Sequence, residues 1–113
     1  MKFKQITRLS SPNILFFVSS QKKYELKVSD LKTKIQDFLS VNINGIKLVK
    51  IKNKKLFFDV FENKLLIFLN ICILKNENLT EKKIEINKKL GNFLLHQFQI
   101  EEYVLNIVFC GFY

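Results

Sequence analysis

From residue 46 to residue 75 the chain reads IKLVKIK, NKK, LFFDVF, ENK, LLIFLNICILK: three apolar runs joined by two polar breaks of three residues each. Breaks that short leave no room for a crossover helix, so each run is expected to lie antiparallel to the next. Isoleucine, valine and phenylalanine dominate the runs, and these residues suit a pleated, half-buried surface. The segment therefore predicts a three-stranded meander with LLIFLNICILK as its longest strand.

A second antiparallel unit precedes it. NILFFVSS (13–20) and YELKVSD (24–30) flank the polar turn QKK, and Tyr24, Leu26 and Val28 alternate with Glu25 and Lys27. A period of two marks a strand with one face buried. The stretch LKTKIQDFLSVNING (31–45) is ambiguous. Leu31, Ile35, Phe38 and Leu39 are spaced for a turn or two of helix, and an irregular crossover fits as well. Beyond residue 75 the period changes, with Leu79, Ile86, Leu90, Phe93, Leu94 and Phe98 on one helical face. Thr80 is placed to cap this helix, with Glu81 in its first turn. Gly91 inside it costs about 1 kcal/mol relative to alanine. YVLNIVFCGFY (103–113) returns to strand. The expected order is β-β-crossover-β-β-β-α-β. That makes an α+β domain, a mostly antiparallel sheet with one long C-terminal helix packed on a face. Residues 1–12 read as a basic leader closed by Pro12, and 13–113 as a single domain.

Charge narrows the partners. The chain of 113 residues has a formal net charge of +9 and is 48% hydrophobic. It can bury a core, and its charge suits a polyanion. Arg8 is the only arginine, so lysine supplies nearly all of the positive charge. Heavy use of Lys, Asn, Ile and Phe is also what an AT-rich genome encodes, which accounts for part of the excess. The lysines nevertheless cluster. Lys2, Lys4 and Arg8 lie in the leader, Lys22 and Lys23 in the first turn, and Lys50, Lys52, Lys54 and Lys55 around the second. Lysines on turns meet phosphates as point charges without reading sequence. These nine residues are the candidate nucleic-acid contacts. Lys82, Lys83, Lys88 and Lys89 are assigned to the polar face or start of the long helix.

Catalytic chemistry finds no footing. His96 is the only histidine and has no nucleophile in a recognisable context beside it. Glu101 and Glu102 are adjacent and read as the polar start of the last strand. The glycines are Gly45, Gly91 and Gly111, too scattered for a phosphate loop. Cys72 and Cys110 sit in apolar runs and read as small buried hydrophobes rather than as metal ligands. No enzyme activity, cofactor, metal or small-molecule substrate is expected. The longest apolar run, 65–74, is half the roughly 20 residues of a membrane-spanning helix, so no span is expected. The N-terminus lacks the apolar core of a secretory signal.

The C-terminal third resembles the first domain of large-subunit ribosomal protein six. In that family a helix leads into a strand of the form Leu-x-Leu-Val-Gly-x-Gly-Tyr. Leu105, Ile107, Val108, Gly111 and Phe112 stand in the corresponding places, and Phe109 replaces the first glycine. LLHQF (94–98) is similar to the end of the family helix, and NILFFVSSQKKYELKVSD resembles its opening hairpin without the Gly-Pro-x-Gly turn. The resemblance implies a structural constituent of an organellar, mitochondrial ribosome. It would belong to the large subunit and contact rRNA and neighbouring ribosomal proteins. It would be made in the matrix from an organellar gene, the alternative being the cytoplasm of an AT-rich organism. Because the family carries two such domains, a separately encoded second half is a further expected partner. Residues 103–113 are then expected to pair with this domain's sheet on one side, with Phe109, Phe112 and Tyr113 forming a partner interface. The alternative function is a small accessory subunit of a respiratory-chain assembly.

Overall fold

The computed structural model describes residues 13–19 and 21–113; the basic leader, with Lys2, Lys4 and Arg8, lies outside the described residues. The elements run β1 (Ile14–Ser19), β2 (Lys22–Lys27), α1 (Val28–Asn42), β3 (Ile46–Leu48), β4 (Leu56–Phe61), β5 (Lys64–Ile73), α2 (Leu79–Phe98) and β6 (Tyr103–Phe112). The fold is mixed α+β with two helices, a two-stranded antiparallel sheet and a four-stranded sheet that is antiparallel except for one parallel pair. The expectation of one long C-terminal helix holds only in part. The 20-residue α2 is followed by β6, and a second helix, α1, takes in most of the ambiguous stretch and also Val28, Ser29 and Asp30, the residues expected to end the strand YELKVSD. Leu31, Ile35 and Leu39, one helical turn apart, bury completely, and burial of that face decides for helix there.

β5 is the axis of the larger sheet. β6 runs parallel along it, from Leu65↔Tyr103 to Ile73↔Phe112. The connection is α2, the helical crossover that parallel neighbours require. Both β3 and β4 run antiparallel to β5 and share its other edge, Leu48 pairing with Ile71 and Leu56 with Leu69. The meander expected from the short breaks is therefore corrected. β3 does not pair with β4; the two are successive pieces of one edge, separated by the loop 50–55. The second break behaves as expected. Glu62 and Asn63, at φ 50° and 63°, close the two-residue β4–β5 hairpin. Positive φ at both central positions matches the twist of the flanking strands.

Alternation along β5 sorts the core. Leu65, Ile67, Leu69, Ile71 and Ile73 point to one face and are wholly buried, together with Ile86, Leu90 and Leu94 of α2 and the three α1 residues. Leu15 and Phe17 of the β1–β2 hairpin join the same cluster. Phe17 stacks on Tyr24 at 4.8 Å, and the Tyr24 hydroxyl donates to the Gln99 carbonyl. This ties the hairpin to the end of α2, where Gln99 turns left-handed at φ 57°. The hairpin turn is tighter than QKK suggests, since Lys22 already pairs with Ser19. Lys22 and Lys23 thus belong to β2, not to a turn. Asn78, not Thr80, caps α2: its Oδ1 accepts from the Glu81 N–H at 3.0 Å. Gly91 gives room to a neighbour, because a Cβ there would stand 2.8 Å from the Tyr103 hydroxyl.

Candidate nucleic-acid interface

The loop 50–55 gathers Lys50, Lys52, Lys54 and Lys55, all exposed. Its geometry follows from its residues. Lys52 and Asn53 take φ of 53° and 68°, so the chain doubles back within two residues. The Ile51 N–H donates to the Lys54 carbonyl at 2.9 Å, and the Lys54 N–H returns to Ile51 at 3.0 Å. A miniature hairpin is thereby extruded from the β3/β4 edge.

Asn70 holds the loop's base. It is the one polar residue among the buried positions of β5, 4% exposed. Its carbonyl accepts from the Val49 N–H and its own N–H donates to the Lys55 carbonyl, each at 3.0 Å. Its side-chain Nδ2 donates to the Lys54 carbonyl at 2.8 Å. One residue thus binds both ends of the loop, which explains an asparagine inside LLIFLNICIL. Sequence reading passed over Asn70, although a lone amide in an apolar run was the available signal.

The sheet face opposite the core adjoins this loop. Register and alternation place Phe57, Asp59 and Phe61 of β4, Leu66, Phe68, Asn70 and Cys72 of β5, and Val104, Asn106 and Val108 of β6 on it. All but Asn70, which lies under the loop's base, are half-buried or exposed, and no described helix covers them. Phe57 and Phe68 stack at 4.6 Å with planes 6° apart, and the Lys54 ammonium sits 5.0 Å from the Phe57 centroid. Cation and ring attract at such a distance, so the loop leans over the face. Phe57 and Phe61 are thus the surface members of LFFDVF, while Phe58 turns to the core. Cys72 is half-buried and Cys110 exposed, which corrects their reading as core residues; both fall on the outward phase of their strands.

Other lysines have structural duties. Lys82, assigned by sequence to a polar face, is 7% exposed. Its ammonium donates to the Asn44 carbonyl at 2.8 Å and pairs with Glu85 at 3.0 Å and Glu77 at 3.3 Å. Lys89 donates to the Asn42 carbonyl and to Glu85, each at 3.0 Å. The last turn of α1 has no basic residue of its own, so α2 supplies cations to the carbonyls there. Burial acts to lower the Lys82 pKa, but the bonds to Glu85 and Glu77 outweigh it and the net direction is up. Hydrogen bonds from Lys82 and Lys89 hold the Glu85 carboxyl below its ordinary value. Lys22 and Lys23 lie exposed on the two-stranded sheet, separate in the chain from the loop.

His96 lines a groove of about 350 Å³ with Phe38, Asn42, Lys89, Asn92 and Phe93. Its Nδ1 lies 2.7 Å from the Asn92 carbonyl and must carry the proton there. The groove lining offers no nucleophile–base pair. At the chain's far end Phe109 packs against this domain's own core, while Phe112 is 53% exposed. The Tyr113 N–H donates to the Ile73 carbonyl at 3.0 Å, and the Lys47 ammonium lies 4.6 Å from its ring centroid. No helix among the described residues is long and apolar enough to cross a membrane. Comparison with protein-family models, curated proteins and solved structures found no match.

Proposed function

We propose that this chain is a structural RNA-binding protein of a ribonucleoprotein assembly, an organellar ribosome being the assembly that its composition and C-terminal resemblance favour. The carrying observation is the loop 50–55, four exposed lysines on a miniature hairpin whose base is fixed by Asn70. Lysines held on a braced turn meet phosphates with little further loss of chain entropy and bind by releasing counterions. Phe112, 53% exposed at the end of β6, gives a neighbouring chain a surface to pack on.

The test is the quadruple variant with Lys50, Lys52, Lys54 and Lys55 each changed to Gln. Its RNA affinity should fall, and the slope of log affinity on log salt should flatten by about three to four. An unchanged salt slope refutes phosphate contact at the loop. Placement in a ribosome is tested separately. RNase should release the protein from the particle with which it sediments, whereas an accessory subunit of a respiratory assembly would sediment unchanged.

A further inference from the structure

The open face of the four-stranded sheet has the form of a stacking platform, and we propose that it binds an unpaired base of single-stranded RNA above Asn106, stacked on Phe68. This rests on the RNA-binding reading above and adds the class of RNA. Three adjacent register positions form one row across the face: Phe57, Phe68 and Asn106. The first two are already stacked at 4.6 Å and nearly parallel, and Lys54 closes the far side of Phe57. A planar group can extend that stack only from the Phe68 side, over Asn106. Val104 and Val108 flank Asn106 on the same face, 39% and 41% exposed, and give the slot apolar walls. The Asn106 amide offers both a donor and an acceptor to a base edge.

Charge selects the occupant. The strand residues of this face include Lys47, opposite Cys72, and Lys64, opposite Phe61; Lys54 leans over it from the loop, and Asp59 is the acid among its strand residues. A second copy would bring the same basic rim against this one and be repelled. A single strand supplies what the surface lacks, π-faces for the stack and phosphates for the rim. A duplex keeps its bases inside its own stack and could use only the lysines.

The experiment measures anisotropy of a labelled single-stranded oligonucleotide of about ten residues and of a hairpin duplex of equal length. Phe68→Leu keeps apolar bulk and removes the ring. It should weaken single-strand binding roughly fivefold to a hundredfold and leave duplex binding unchanged. Val108→Glu, at an exposed site, should do the same and serves if Phe68→Leu fails to fold. Equal binding of both RNAs, reduced by the quadruple lysine variant and untouched by either face variant, overturns the platform and leaves the loop reading intact. Absence of RNA binding altogether overturns both. A dimer that dissociates on Val108→Glu, or retention on anionic vesicles that this variant abolishes while RNA binding is unchanged, assigns the face to another occupant and overturns the platform alone.

Discussion

Replacing Asn70 by alanine isolates the brace under the basic loop. The change removes the 2.8 Å bond from Nδ2 to the Lys54 carbonyl and keeps the two backbone bonds to Val49 and Lys55. A hydrogen bond of this kind contributes about 1 kcal/mol net. The Lys54 carbonyl keeps its bond from the Ile51 N–H, so it is not orphaned and no further desolvation cost is added. The cost is therefore about 1 kcal/mol, and Tm should fall by roughly 4–8 °C. The loss should be local. Amides of Ile51 and Lys54, which close the miniature hairpin, should exchange up to about tenfold faster, while those of β5 and β6 change less. Thermal melting and amide exchange by NMR measure both quantities. A Tm within about 1 °C of the parent, with unchanged exchange at Ile51 and Lys54, would show that the turn and its backbone bonds suffice and that the Asn70 amide braces nothing.

Two further outcomes follow from the packing of α2. Gly91→Ala should bring little or no stability by itself, because the new Cβ meets the Tyr103 hydroxyl at 2.8 Å; in the Tyr103→Phe background, where the nearest ring carbon is 3.9 Å away, the helix-propensity gain of about 1 kcal/mol should appear. Urea unfolding of the four proteins of this cycle checks it, and additivity within about 0.3 kcal/mol would refute the contact. The Glu85 carboxyl is held below its ordinary 4.5 by Lys82 and Lys89, so its contribution is present above that value and lost as pH falls through the lower folded value. Glu85→Gln should accordingly flatten the acid limb of Tm against pH; an acid limb parallel to the parent's would remove Glu85 from the α1–α2 clasp.

What the sequence determined by itself was local. Period-two alternation in YELK, the apolar runs of β4 and β5 and the 3.6-residue spacing of Leu79 to Phe98 each arise from one element burying one face, so they could be read without a partner. The four loop lysines were legible for the same reason: solvated residues need no tertiary context to cluster in sequence. The stretch IKLVKIK carried one more clue, since its apolar positions change phase between Leu48 and Val49, where β3 ends. Only the tertiary structure decided the rest. Placing β3 and β4 end to end on one edge of β5 depends on positive φ at Lys52 and Asn53 and on Asn70, which is distant in sequence. Propensity left residues 31–45 undecided, and the buried face of α1 settled them. Lys82 read as a surface residue until α2 packed beside the carbonyl end of α1, where Lys89, still exposed, also finds a carbonyl. Which face of the sheet lay open could not be read from β6, whose two phases are both apolar. The helices cover the phase of Leu105, Ile107 and Phe109 and leave that of Val104, Asn106 and Val108 uncovered. A long-range choice between two equally apolar faces leaves no trace in the strand that is chosen, because it is made by whatever packs against the other side.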